Sequence, residues 1–433
     1  MLPFDLTGAQ RRVIGEIFED MKRPHPMNRL VQGDVGSGKT AVAAAAMLAA
    51  VRCGYQAALM APTEILAEQH QANLHRIFEP LGIDVVLLVG KQTARERKRA
   101  LDQTASGQAK IAIGTHALIQ EGVQFDRLGF VVVDEQHRFG VLQRASLREK
   151  GLGNPDVLVM TATPIPRTLT MAIYGDLDLS VIDEMPPGRK PIKTHWMPPF
   201  KRQSVYETVR TLIQEGRQAY FVCPMISENE KMLAQAATDL HYQLSKGVFA
   251  DLRVGLLHGQ LKAREKEEAM ERFRAKEIDV LVSTTVIEVG VDVPNASIMV
   301  IEDANRFGLS QLHQLRGRVG RGEWQSFCVL VAEAKTDDAR ARMDIMVQTN
   351  DGFKIAEEDL KLRGPGELAG TKQSGNLDFK LADLVQDARL LEVSRQAAMD
   401  LISRDPSLSQ SEHAGILVKV QERRSQMAVA TIS

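Results

Sequence analysis

Short runs of β-branched and aliphatic residues recur along most of the chain, separated by longer stretches with helical spacing. In the first part they read NRLVQGDV, YQAALMAPT, IDVVLLVG, KIAIGT, FVVVDE and DVLVMTAT. A half-exposed strand would alternate with polar residues, and these runs do not, so the pattern predicts buried parallel strands covered by helices on both faces. The stretch DEMPPGRKP, Asp183 to Pro191, breaks the rhythm with three prolines and a glycine and predicts a domain boundary. A second series follows: IKTHW, QAYFVCP, RVGLLH, IDVLVSTT, ASIMVIED and SFCVLVAE. No repeat of fixed period relates the two series. The expectation is therefore two tandem doubly wound α/β domains, 1–187 and 188–340. After about Ala334 the strand signal fades into helical spacing interrupted by LRGPGELAGTKQSG, which predicts a small helical C-terminal module over 341–433. Its last thirty or so residues are polar and weakly patterned, and the expectation there is partial disorder.

A chain of 433 residues exceeds one hydrophobic core, in keeping with several domains. A formal charge of −1 offers no global attraction to a polyanion, so composition alone does not suggest nucleic acid. Cys53, Cys223 and Cys328 lie far apart with no CxxC pair, which indicates neither a disulfide framework nor a zinc knuckle and fits a reducing cytoplasm. The longest apolar run, Ala41 to Val51, is too short to span a bilayer, and the N-terminus has charged residues where a leader needs apolar ones. The expectation is a soluble, cytoplasmic protein that is not exported.

The most specific motif is GDVGSGKT, Gly33 to Thr40, which fits G-x-x-x-x-G-K-[ST] and stands between a strand and an Ala-rich helix. Gly33, Gly36 and Gly38 let the amides of the loop, through Asp34, Val35 and Ser37, turn towards phosphate oxygens. Lys39 reaches the β and γ phosphates and the Thr40 hydroxyl binds Mg²⁺. In VVVDEQH, Asp134 and Glu135 stand at the carboxyl end of a strand, the end that faces the ligand crevice of an open parallel sheet. There Asp134 can hold the magnesium ion while Glu135 polarises an attacking water. The implied cofactors are ATP and Mg²⁺.

With these two motifs and five more in order, the chain resembles the superfamily 2 helicases: APTEILAEQH (61–70), GTHALIQ (114–120), TATPIPRT (161–168), TTVIEVGVDVPNA (284–296) and QLRGRVGR (314–321) accompany DEQH. The resemblance implies two RecA-like domains with ATP in the cleft between them. It implies that Gln10 reads adenine, that Gly290, Asp292 and Gln314 line the nucleotide site, and that Arg318 and Arg321 reach across from the second domain. An arginine delivered across a cleft stabilises charge on the γ-phosphoryl oxygens, so hydrolysis requires closure, and such fingers are worth about 10³ to 10⁵ in rate. For DNA, the resemblance points to Thr63, Thr115, His116, Thr161, His258, Thr284, Arg363 and Gln373. Contacts of this kind go mainly to phosphates and carry no sequence information.

The wording of LPFDLTGAQ, HPMNRLVQGDVGSGKT, DEQHRFGVLQR and the region from Arg342 through DLKLRGPGELAGTKQSG is similar to the RecG family of fork-remodelling translocases. The related transcription-repair coupling factors usually have DEEH where Gln136 stands and Phe where Ser37 stands. In both families the tail element is a helical hairpin and loop that turns closure of the motor domains into movement on duplex DNA. RecG proteins also carry an N-terminal wedge domain that grips branched DNA, and here Met1 directly precedes LPFDLTGAQ. The expectation is a motor without that wedge, by truncation or natural absence.

The resulting expectation is a monomeric, ATP-hydrolysing DNA translocase or helicase acting on duplex, forked or junction DNA in repair and recombination. Two alternatives stay open: an RNA helicase on the same scaffold, and a nucleotide-controlled binding module without productive movement. KQTARERKRA, Lys91 to Ala100, has five basic residues and reads more readily as a solvated helix face than as a phosphate contact. His137 sits inside a helicase motif without partners of metal-ligand spacing. Trp196 and Trp324 read more readily as packing residues than as base-stacking platforms.

Overall fold

The computed structural model describes residues 5–120, 122–135, 154–163, 177–223, 230–285, 292–367 and 387–430. Two sheets organise it. The first has seven strands, β1 (Asn28–Gly33), β2 (Gln56–Met60), β3 (Val85–Leu88), β4 (Ile111–Gly114), β5 (Leu128–Asp134), β6 (Asp156–Thr161) and β7 (Asp178–Ile182), in the order β3-β4-β2-β5-β6-β1-β7. The second has six, β8 (Lys193–Met197), β9 (Gln218–Val222), β10 (Val254–Leu257), β11 (Val280–Ser283), β12 (Ala296–Ile301) and β13 (Phe327–Val331), in the order β10-β11-β9-β12-β13-β8. From β3 to β1 in the first sheet and throughout the second the pairing is parallel, for example Asn28 with Val157 and Val280 with Ala219. These are two tandem RecA-like domains with parallel sheets, the buried strands expected from the apolar runs and the RecA-like form from the helicase resemblance, followed by a helical C-terminal module.

The first core rests on small residues. Helix α1 (Gly8–Met21) and helix α2 (Lys39–Arg52) pack together on the first sheet, and α2 buries Ala41, Ala43, Ala44, Ala46 and Ala50. Alanine side chains let this helix lie close to the strands and put its amino end at the carboxyl end of β1. In the second core, Tyr206 stands 6.0 Å from Phe221 and 5.7 Å from Phe249, with Phe221 and Phe249 5.8 Å apart. Each such ring pair contributes about 0.5–1.5 kcal/mol beyond its buried area. Truncating Phe221, fully buried on β9, to Ala costs about 3–5 kcal/mol.

The described residues form two compact units, one of 5–163 and 179–355, which holds nearly all of both sheets, and the other of 177–178 with the helical residues from 356 onward. In the second unit, helix Ala388–Arg404 leads into a turn built on Asp405, whose carboxylate accepts from the amides of Ser409 and Gln410, both at 3.0 Å. His413 Nδ1 completes it at 2.8 Å. The tail differs from its expectation, since a helix runs over Ala414–Ala430. Ten of its seventeen residues are Ala, Leu, Gln, Glu, Arg or Met, and their helix propensity supports the helix despite three valines and a weak amphipathic pattern. Among the described residues no helix is long and apolar enough to cross a membrane.

Candidate functional site

The strand ends collect the chemistry. β1 finishes in Gly33, and the loop to α2 passes through Gly36 (φ 80°) and Gly38 (φ 85°), left-handed conformations that side chains disfavour. A Cβ on Gly33 would lie 2.5 Å from Ser37 Oγ, so the loop closes only around glycine. Ser37 Oγ is buried inside this loop without a hydrogen-bond partner. An orphaned hydroxyl beside turned amides at a helix amino end is what an oxyanion would satisfy, and the loop fits a phosphate chain.

Lys39 is folded into the loop, its Nζ donating to Gly33 O at 2.8 Å and Asp34 O at 3.0 Å. Burial holds its ammonium below the ordinary lysine value and Arg321 pushes the same way, against the pull of Glu135, Asp134 and Asp34. β5 delivers Asp134, paired across the sheet with Met160 of β6. Its carboxylate meets His70 Nε2 at 2.8 Å. Burial works to raise this carboxyl, but the His70 hydrogen bond and Lys39 leave it below the usual range. Glu135 follows at φ 56°, a conformation that costs a non-glycine residue energy and turns the chain sharply off the strand. Hydroxyl and carboxylate oxygens, from Thr40 and Asp134, form a donor set that suits magnesium.

Gln10 lies in α1 just after its cap: Thr7 N donates to Gln10 Oε1 at 2.9 Å, and Gln10 Nε2 donates to Ser37 O at 2.8 Å. The first helix is thereby tied to the phosphate-type loop.

The second sheet brings its own residues to this place. On helix Leu309–Arg316, His313 Nε2 lies 2.6 Å from Asp34 Oδ1. Arg316 donates to His313 Nδ1 at 3.0 Å, so Nδ1 is the acceptor and Nε2–H is the donor to Asp34. Gln314 Nε2 donates to Thr163 Oγ1 at 2.7 Å, and Asp292 N donates to Gln69 Oε1 at 3.3 Å. Gly317 packs so closely on Val35 that a Cβ there would come within 2.9 Å. Arg318 is buried in the turn that follows, and Arg321 pairs with Asp292. Burial brings Arg321 down to about 10, with the charge of Arg189 acting the same way. The arginine-bearing turn and the glycine loop thus face each other.

Six of the residues expected at DNA lie at the carboxyl edges of the two sheets. Thr63 caps helix α3 (Glu64–Phe78), accepting from Leu66 N at 3.4 Å. Thr115 follows β4, Thr161 ends β6 and Thr284 follows β11, all three buried, while His116 beside Thr115 is exposed. His258, half-buried after β10, has its Nδ1 without a hydrogen-bond partner. Gly290, Gln373 and His137 lie outside the described residues, as does the side chain of Arg363.

Sequence reasoning missed His70, His313 and Arg189. His70 falls in the series Leu66, Ala67, His70, Leu74 and Phe78 on the buried face of α3, and a histidine at an apolar position was a usable signal. The basic run is largely a solvated face of helix α4 (Ala94–Ala105), although Lys91 bridges Glu68 at 2.8 Å and Glu267 at 3.2 Å. Trp196 donates to Ala332 O at 3.0 Å. Trp324 is exposed, with Arg217 over its ring at 5.0 Å, so it does not pack in a core.

Comparison with known proteins adds a consistent picture. Family models for the DEAD/DEAH box helicases, the helicase conserved C-terminal domain and domain 3 (C-terminal) of the ATP-dependent DNA helicase RecG match residues 7–172, 201–323 and 349–433. The chain is 55% identical to the ATP-dependent DNA helicase RecG of Synechocystis sp., over 98% of this chain and 50% of that protein. It is 54% identical to the protein of that name from Bacillus subtilis, over 95% of this chain and 60% of the other. The chain therefore spans between half and three fifths of the length of these relatives. A solved structure of RecG bound to a three-way DNA junction superposes with a TM-score of 0.76 at 49% identity, covering 90% of this chain and 51% of that one. Dbp5 of S. cerevisiae, bound to RNA and ADP BeF3, shares the fold at a TM-score of 0.59 and 18% identity, over 83% of this chain and 94% of the other.

Proposed function

We propose that this chain, which belongs to the RecG family of helicases, is an ATP-dependent motor that moves on and remodels duplex or branched DNA. The observation that carries the reading is the seating of the arginine-bearing turn of the second domain on the glycine loop of the first, fixed by His313 and Asp34 at 2.6 Å. A site assembled from two domains hydrolyses only when they close, which links turnover to relative movement.

In this reading Gln10 selects the base, the amides around Ser37 and the Lys39 ammonium hold the phosphates, and Glu135 orients the attacking water. Thr40 and Asp134 hold a magnesium ion, which when bound neutralises phosphate charge. Arg318 and Arg321 answer the charge that develops on the γ-phosphoryl group, while Asp292 holds Arg321 and Gln314 ties the turn to Thr163. Gly290 belongs to the same nucleotide-facing segment. Residues at the carboxyl edges, Thr63, Thr115, His116, Thr161, His258 and Thr284, carry the DNA backbone, with Arg363 and Gln373 contributing from the C-terminal module. Domain limits at 187/188 and 340/341, a monomeric state and a cytoplasmic location complete the proposal.

The test is ATP turnover with no nucleic acid, with forked duplex DNA and with RNA, using Glu135→Gln as the inactive control. Stimulation by forked DNA well above that by RNA is the expected result. Equal or greater stimulation by RNA would move the chain to the RNA helicases, and no stimulation by either would overturn the motor reading.

A further inference from the structure

Arg189 belongs to neither strand-bearing half of the site. It lies in the segment joining β7 to β8, straight after Pro186, Pro187 and Gly188. The prolines fix their own backbone angles and Gly188, at φ 89°, makes a left-handed turn, so the side chain is presented inward by a stiff connection. Its Nη1 donates to Val35 O in the glycine loop, and its Nε donates to Gly320 O, at 3.2 Å, in the arginine-bearing turn. One guanidinium thus bridges the two domains with two separate nitrogens. The fit is close: a Cβ on Gly36 would collide with Nη1, so glycine at 36 admits Arg189 as well as shaping the loop. Arg189 also lines a cavity of about 340 Å³ with Asp34, Val35, Ser37, His313 and Gly317.

We propose that Arg189 is a positioning residue, a clamp that registers the arginine-bearing turn over the phosphate loop by holding Val35 and Gly320 together. The proposal rests on the ATP-site reading above and adds to it a residue that reads neither base nor phosphate but fixes where Arg318 and Arg321 stand. Burial keeps Arg189 below the ordinary arginine value, with only Asp34 opposing, and its charge presses on Arg321. A lysine keeps the charge but presents a single nitrogen in place of the planar fork.

The experiment uses the whole chain with dyes on Cys53, the exposed native thiol, and on a Gln203→Cys substitution in the other domain; Cys223 and Cys328 are buried. Single-molecule energy transfer without nucleotide is compared for the parent, Arg189→Ala and Arg189→Lys, alongside DNA-stimulated ATP turnover and the affinity for a fluorescent ADP analogue. A clamp gives a narrow distribution in the parent and a broad one in both variants. It also gives a kcat about 10- to 100-fold lower, as expected for a misplaced catalytic group, with ADP affinity nearly unchanged.

Full rescue by lysine would reduce the role to bare charge and overturn the clamp. An equal loss of ADP affinity would make Arg189 a nucleotide ligand, and a narrow distribution with unchanged kcat would leave it no role; either result overturns the proposal. Lys39→Ala separates the two readings. If that variant binds the analogue as the parent does, the ATP-site reading falls, while the nucleotide-free distributions still decide the clamp.

Discussion

His313 donates a hydrogen bond from Nε2 to the Asp34 carboxylate at 2.6 Å, joining a helix of the second domain to the glycine loop of the first. Both residues are buried, and the donor role of Nε2 follows from Arg316 occupying Nδ1. The register between glycine loop and arginine turn is thus set partly by a pair that is itself neither phosphate ligand nor catalytic arginine.

Removing either partner of this pair leaves a buried polar group without its mate, at a cost of about 1–3 kcal/mol. A double-mutant cycle with Asp34→Ala and His313→Ala, followed by urea unfolding, is expected to return a coupling energy of about 1 kcal/mol or more. Additive effects would contradict the contact. The Asp34 carboxyl is held below its ordinary value by His313, with burial opposing. Its contribution to stability is therefore present above about pH 4 and lost as the pH falls further.

Lys39 gives the opposite sign. Its folded-state value is lowered by burial, so in the window below the ordinary 10.5 the unfolded chain holds the proton more tightly and the native state gains stability as the pH rises. Lys39→Met is expected to match or exceed the parent in thermal midpoint at pH 7, while losing nucleotide binding. The parent should close the gap as the pH approaches about 10. A Met variant clearly less stable at pH 7 would mean that the ammonium is a net structural tie.

For Glu135→Gln the fold and nucleotide affinity are expected to persist, since the amide keeps the shape of the side chain at φ 56°. Turnover should fall by about 10² or more, the usual contribution of a positioned base. Stopped-flow hydrolysis in a single turnover distinguishes this from slow product release.

How legible the molecule was from its residues depended on range. The glycine loop and the acidic strand end were readable because backbone conformation and strand direction are local properties: Gly36 and Gly38 sit in left-handed turns, and Asp134 ends β5. β7 escaped notice because only two of its five residues, Ser180 and Ile182, are buried, too short a pattern to separate from loop. His313, His70 and Arg189 were missed for another reason. Their partners lie 279, 64 and 154 positions away, and pairing over such separations is fixed by how the sheets and helices pack. Composition was silent on the site, because its basic residues, among them Lys39, Arg316 and Arg318, are few and buried and leave no mark on the net charge.

In the C-terminal unit, Asp405 is held well below the usual carboxylate range, first by the Gln410 amide and then by His413. Whatever it contributes to the turn is present above the ordinary carboxylate value and lost as the pH falls below it. Asp405→Asn keeps the size and removes the charge. It is expected to lower the thermal midpoint of helix loss seen by circular dichroism at pH 7, and to matter progressively less as the pH drops below about 4. An equal effect at pH 7 and pH 3 would contradict the role of the charge.

The central claim is that a triphosphate held by one domain is completed by guanidinium groups from the other. A crystal structure of the chain with magnesium and ADP–beryllium fluoride measures this directly. The expected result is a guanidinium nitrogen of Arg318 or Arg321 within about 3.2 Å of the γ-phosphate mimic. Both arginines standing more than about 6 Å away, beyond reach of a direct contact, would contradict it.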